Sequence, residues 1–94
     1  MIGVYIRPES MTAEQYHAVD DQLDSDGVSM DGMLMHSCFS EGDNLAVFDV
    51  WESKEAFEAF GEKLVPVLQA NGVSMSAPMF VEMIDYETRP GAGT

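Results

Sequence analysis

His36 and Asp49 stand on either side of Glu41-Gly42-Asp43-Asn44, a run of residues that tolerate positive φ and so mark a turn. An even-length turn centred on Gly42-Asp43 makes a hairpin that sets His36 opposite Asp49, Leu34 opposite Trp51 and Cys38 opposite Val47. Side chains directly opposite on one face have Cβ atoms about 4.5–5.5 Å apart. A carboxylate at that distance fixes the imidazole tautomer and raises its basicity. An odd-length loop would put the two groups on opposite faces, since a one-residue shift swaps sides. In the even register the pair suits proton abstraction from an activated carbon acid or a phenol. Imidazole would be the base, Asp49 would stabilise the imidazolium, and Trp51 would stack on a flat substrate. The same pair could equally satisfy two polar groups in a half-buried hairpin and do no chemistry.

Further candidates surround this pair. Leu34 beside Trp51, and Phe57 on the second helix, are expected as walls of a substrate site. Tyr5 points either into that cavity or into an interface between protomers. His17, at the edge of the apolar stripe of the first helix, is expected to face solvent. Cys38 has no basic neighbour in sequence to lower its pKa and reads as a small core residue. Glu82 reads as an edge or interface residue. Met33 and Met35 flank His36 in Met33-Leu34-Met35-His36, but strict alternation turns both away from it, so no metal site is expected. No phosphate loop, G-x-S-x-G or H-E-x-x-H is present.

The elements that must position these groups follow from periodicity. Ile2, Val4 and Ile6 alternate with Gly3, Tyr5 and Arg7, which reads as a strand stopped by Pro8. Thr12-Ala13-Glu14-Gln15 fits a capping box, and Tyr16, Val19 and Leu23 follow at helical spacing. The first helix should run from Met11 or Thr12 to Leu23. Strands are expected over 32–40 and 45–51. Ser53 should cap a second helix whose face is Phe57, Phe60, Leu64 and Leu68, stopped by Asn71-Gly72. Pro66 predicts a kink or short break near Lys63 to Val65. A fourth strand is expected from Met79 to Tyr86.

The order is βαββαβ. Right-handed crossovers then favour a ferredoxin-like split sandwich of α+β class, with an antiparallel sheet in order 4-1-3-2 and both helices on one face. The strands carry apolar residues on both sides: Leu34 and Cys38 alternate with Met33, Met35 and Phe39, and Val47 with Phe48 and Val50. Such a sheet needs covering twice, once by helices and once by another protomer's sheet. Residues 1–87 are expected to form this domain and 88–94 a flexible tail. A charge at Phe48 or Met35 should break the dimer or be silent, according to which face the helices cover.

Composition narrows the partners. The chain has 94 residues, 46% of them hydrophobic, enough for one core. Its 4 basic against 17 acidic residues give a net charge of −13. Nucleic acid and anionic membrane surfaces are excluded by that balance, and an anionic substrate would meet repulsion. One cysteine excludes a disulfide framework. The N-terminus does not look like a signal peptide, no apolar run is long enough to span a membrane, and a cytoplasmic location is the default.

The segment Phe48-Asp49-Val50-Trp51-Glu52-Ser53-Lys54-Glu55-Ala56-Phe57-Glu58-Ala59-Phe60 resembles the junction of third strand and second helix in small dimeric α/β-barrel proteins. These form the group called antibiotic-biosynthesis-monooxygenase-like. The resemblance extends over the whole chain in length and element order and is nearest over residues 32–68. It implies a homodimer with two sheets face to face and a pocket between sheet and helices in each protomer. Members include cofactor-free monooxygenases of aromatic polyketides, cyclases, haem-degrading enzymes and proteins with no known reaction. Trp51 resembles a tryptophan found in several oxygenase and haem-degrading members. The asparagine that those oxygenases place near the start of the first strand has no counterpart here, where Tyr5, Ile6 and Arg7 stand.

Two functional classes follow. One is a cofactor-free monooxygenase, cyclase or isomerase that acts on a small apolar or phenolic, aromatic or polyketide-like molecule through a His36–Asp49 base. The other is a non-catalytic small-molecule binder or structural homodimer of the same fold. A cavity lined by His36, Asp49 and Trp51 would favour the first.

Overall fold

A computed structural model describes residues 1–88. The elements are β1 (Ile2–Ile6), α1 (Ala13–Ser25), β2 (Met33–Glu41), β3 (Asn44–Trp51), α2 (Lys54–Ala70) and β4 (Met79–Glu82). They build one antiparallel sheet in the order β2-β3-β1-β4, the expected order read from its other edge. Of the tail expected over 88–94, only Thr88 falls within the described residues.

The helices form where local chemistry dictates. Thr12 caps α1 with a complete capping box: its hydroxyl accepts from the Gln15 amide, and the Gln15 side chain accepts from the Thr12 amide. Ser53 caps α2 in the same sense, its hydroxyl accepting from the Ala56 amide. Of the kink or short break expected near Lys63 to Val65, the break does not occur: α2 runs through Pro66 to Ala70. The carbonyl of Glu62, left without its amide partner by the proline, sits among exposed residues where water can serve it. Val67 and Leu68, just beyond Pro66, are buried with Phe57, Phe60 and Leu64. Fully burying each such side chain contributes about 1.5–3 kcal/mol, which offsets the roughly 3 kcal/mol cost of the proline.

The sheet contributes Val4, Ile6 and Trp51 to the same core, and α1 adds Val19 and Leu23. Trp51 is 0% exposed, with its ring 5.8 Å from Phe57 and 5.2 Å from Phe60 between centroids. Residues Ile2, Val4 and Ile6 of β1 oppose Trp51, Asp49 and Val47 of β3 on this helix-covered face. The other face carries Tyr5, Met35, Phe39, Phe48, Met79 and Val81, with no helix over it.

Two strands depart from expectation. The β2 strand contains a bulge: Met33 opposes Trp51 and Met35 opposes Val50, which leaves Leu34 as the extra residue. Leu34 therefore does not face Trp51, and Met33 turns to the face that His36 occupies. The β4 strand ends at Glu82 instead of Tyr86. Glu82 pairs with Ile2, the first residue of β1, and one further backbone bond follows, from the Met83 amide to the Met1 carbonyl at 3.2 Å.

Gly32 fixes where β2 starts. Its φ is +92°, and its carbonyl accepts from the Glu52 amide at 2.7 Å, tying the strand to the β3–α2 junction. A Cβ there would stand 2.7 Å from Cβ of Ala56. Gly32→Ala combines a disfavoured backbone conformation with overpacking. It should destabilise the protein by about 2–4 kcal/mol, read as a lower urea midpoint with an unchanged slope.

Candidate functional site

The hairpin closes with two turn residues, Gly42 and Asp43, between the paired Glu41 and Asn44. Gly42 takes φ +63° and Asp43 does not have positive φ, the sign pattern of a type II′ turn. This is the even register, and it sets His36 opposite Asp49 and Cys38 opposite Val47. Nδ1 of His36 lies 2.6 Å from Oδ1 of Asp49. The other carboxylate oxygen, Oδ2, accepts from Trp51 Nε1 at 3.3 Å. Asp49 is 2% exposed and is the only buried charged residue among the described residues. Its two oxygens are thus held by one donor each, as a buried carboxylate requires.

The carboxylate dictates the imidazole tautomer. Nδ1 carries the proton donated to Asp49, so Nε2 presents its lone pair away from the strand pair. That lone pair meets the phenolic hydroxyl of Tyr16 at 2.6 Å, with the two ring planes parallel to within 4°. The result is a continuous line, Tyr16–His36–Asp49–Trp51, drawn from α1, β2 and β3. The hydrogen bond to Asp49 raises the His36 pKa above its ordinary value; partial burial opposes this, and the charges of Asp49 and Asp20 add to it. Burial also raises the Tyr16 pKa, which keeps the phenol protonated.

This line ends in a cavity of about 170 Å³ between sheet and helices. Its polar groups are Tyr16, Asp20, His36 and Asp49. The remaining wall is apolar, from residues such as Val19, Phe60 and Leu64, and includes four methionines, Met11, Met30, Met33 and Met75. Methionine walls adapt their shape at low cost. The position of Tyr16 is set by the chain that precedes it. The Asn44 side chain, beside the hairpin turn, accepts from the Met11 amide at 2.8 Å and donates to the Pro8 carbonyl at 2.7 Å. Gln15 also donates to the Asn71 carbonyl at 3.1 Å. The start of α1 is thereby pinned to the hairpin and to the end of α2.

Of the six residues expected at the site, the fold brings His36 and Asp49 to the cavity and leaves four outside it. Trp51 has no exposed face on which a substrate could stack, because Phe57 and Phe60 enclose it; what it does is orient Asp49. Phe57 is buried against Trp51 and Phe80, while Phe60, one turn on, reaches the cavity instead. Leu34 is 37% exposed on the bulge, and Met33 takes the place expected for it. Tyr5 lies on the helix-free face. Its hydroxyl donates to the Glu41 carboxylate at 2.6 Å and 2.7 Å, and Arg7 Nε pairs with the same carboxylate at 2.5 Å. That hydrogen bond raises the Tyr5 pKa.

Cys38 is half-buried, and burial raises its thiol pKa. His17 is exposed, as expected. No group of three or more His, Cys, Asp or Glu side chains is arranged to hold a metal ion among the described residues. Tyr16 and Asp20 are the site residues that sequence reasoning did not single out. Tyr16 gave a signal nonetheless: it shares the apolar stripe of α1 with Val19 and Leu23, and a phenol on a buried stripe needs a hydrogen-bond partner.

No family model matches the sequence. No curated protein matches it significantly either. Solved structures do match. A proposed antibiotic biosynthesis monooxygenase from Chloroflexus aurantiacus superposes with a TM-score of 0.62 at 16% identity, covering 94% of this chain and 98% of that one. A second such protein, from Deinococcus radiodurans, gives 0.61 at 14% identity, covering 97% and 100%. The chain has the antibiotic-biosynthesis-monooxygenase-like fold. A protein of unknown function from Nitrosomonas europaea has it too, with a TM-score of 0.62 at 17% identity, covering 96% and 95%. Within this fold the activity has to be argued from the site, because one framework carries many functions.

The raised His36 pKa links stability to pH. A group whose folded pKa exceeds its unfolded value of 6.5 stabilises fully below that value, and the contribution is lost as pH rises through the folded pKa. Wild-type stability minus that of His36→Gln should therefore fall as pH is raised from about 6.5 through that pKa. Urea midpoints measured across the range check this, and a difference that does not change with pH would contradict the pairing.

Proposed function

We propose that the chain is a cofactor-independent enzyme of the antibiotic-biosynthesis-monooxygenase or cyclase type. Its substrate on this reading is a small apolar, aromatic or polyketide-like molecule, and the His36–Asp49 pair is the general base. The observation that carries the reading is the polar line Tyr16–His36–Asp49, all three of which line an otherwise apolar cavity. Such a base removes a proton from a phenol or an activated carbon acid and leaves imidazolium beside the Asp49 carboxylate. The resulting anion can attack an internal carbonyl, as in cyclisation, or meet molecular oxygen. Asp20 at the wall and the net charge of −13 disfavour an anionic substrate. A cytosolic location accompanies this reading; no helix among the described residues is long and apolar enough to cross a membrane.

The same reading includes a homodimer through the helix-free face of the sheet. Apolar side chains stand uncovered there, Met79 at 61% exposure and Val81 on β4 among them, and Phe39 on β2 at the opposite edge. Met35 and Phe48 lie on this face rather than under the helices, so a charge at either should act on the dimer. Met35→Glu buries an unpaired carboxylate between two sheets and should shift the mass in sedimentation from dimer to monomer at micromolar concentration. A variant that stays dimeric would put the interface elsewhere.

Catalysis is tested by incubating the protein with phenolic, quinol and linear polyketide-like substrates, with and without oxygen. Product formation by wild type should fall by about 10²–10⁴-fold in a folded His36→Gln variant. Unchanged turnover would make the pair structural, and a wild type that binds but never turns over would leave a small-molecule binder.

A further inference from the structure

We infer that Tyr16 is the proton-transferring group between ligand and His36, and that the ligand it serves is a single-ring phenol or enol bound through its hydroxyl. The inference rests on the reading of His36–Asp49 as a base and adds the residue that meets the substrate. Nε2 has one lone pair, and the Tyr16 hydroxyl already occupies it at 2.6 Å, with the two ring planes nearly parallel. A ligand hydroxyl entering the cavity therefore does not find a free imidazole. It finds the phenolic oxygen of Tyr16, which donates one hydrogen but retains capacity to accept another.

The transfer balances as two coupled proton shifts. The ligand O–H proton passes to Oη of Tyr16 while the Tyr16 proton passes to Nε2 of His36. Tyr16 ends as a neutral phenol, the ligand as its oxyanion, and His36 as imidazolium facing Asp49. The groups that face His36 fit this direction: Asp49 from β3 and Asp20 from α1 both favour the imidazolium, and Cys38 on its own strand stays a thiol. Burial holds Tyr16 in its protonated form, so it is a bridge and not itself the base. The volume sets the ring count. An engineered apolar cavity of about 150 Å³ accepts benzene, so about 170 Å³ takes one substituted ring, with several rings requiring the methionine wall to move.

The test uses the full chain and para-nitrophenol, a single-ring phenol whose ionised form absorbs visible light. Bound to wild type, the probe should ionise at lower pH than it does free. In Tyr16→Phe the probe should still bind, weakened about two- to tenfold by loss of one hydrogen bond, but its ionisation should return to the free value. Fluorotyrosine in place of Tyr16 keeps the hydroxyl and makes it a better donor, and should increase the ionised fraction. This arm reads the role of the hydroxyl even if the Phe variant folds poorly. An unchanged ionised fraction in both Tyr16 variants, with loss in His36→Gln, overturns the role of Tyr16 and leaves the base reading standing. A larger fraction in Tyr16→Phe shows Tyr16 to be a latch that blocks the base and also overturns it. No change in His36→Gln overturns the base reading itself. A wild type that does not bind the probe overturns the assignment of a single-ring phenol.

Discussion

A carboxylate buried at the centre of a sheet has to be satisfied on both oxygens, and in this protein that requirement organises the site. Asp49 stands on a strand flanked on both sides, opposite Val4 of β1 and His36 of β2. It can remain there because His36 serves one oxygen and Trp51 the other. Removing either partner leaves a buried charge short of a donor, a far larger cost than the net value of an ordinary hydrogen bond. The arrangement also fixes the orientation of the imidazole, since the nitrogen that serves Asp49 leaves the other to meet the Tyr16 hydroxyl. None of the buried polar side-chain atoms among the described residues lacks a partner, so the site is polar and fully satisfied before any ligand arrives.

The division of labour in the core follows from this. Trp51, Phe57 and Phe60 form an aromatic cluster under α2 that holds the indole N–H on Asp49. The space that remains lies between the sheet and both helices, where methionines and aliphatic side chains make most of the wall and Phe60 borders it. The aromatic cluster therefore positions the base, and the methionines give the cavity an adaptable wall. The bulge at Leu34 serves the second half: it shifts Met33 onto the cavity face while the register from Met35 to Glu41 stays intact, so His36 keeps its place opposite Asp49.

The two faces of the sheet carry different chemistry. On the helix side, polar groups are few and concentrated in one line. On the other side, exposed apolar residues border the cluster of Tyr5, Arg7 and Glu41, whose ion pair and hydrogen bonds fix three side chains at one end of the face. Gly3 belongs to that face as well. A Cβ there would approach the Phe48 ring to 2.6 Å and Val81 Cγ2 to 2.8 Å, so the aromatic ring lies directly over the strand. Beyond β4, Ile84 is 90% exposed, which extends the apolar surface past the end of the pairing.

The amino-acid sequence by itself determined the element order, the capping of both helices, the sheet order and the pairing of His36 with Asp49. Each depends on local signals: alternation, helical spacing, cap residues and a two-residue turn around Gly42-Asp43. It also carried the fold resemblance, in the stretch from Phe48 to Phe60. Tertiary structure decided the rest. The bulge that exchanged Leu34 for Met33 depends on Gly32 meeting the β3–α2 junction, a contact between segments far apart in the chain. The length of β4 depends on where β1 begins. Pro66 was tolerated in α2 at an exposed position, beside exposed Glu62 and Lys63 and just ahead of buried Val67 and Leu68, a balance that spacing does not reveal. Trp51 was legible as important, but whether its ring faced substrate or core depended on two phenylalanines closing over it. Tyr16 was legible only as part of an apolar stripe. That its hydroxyl reaches His36 follows from how α1 is laid across the sheet, held by Asn44 and Gln15, because periodicity specifies which side of a helix is buried and not which strand residue lies beneath it.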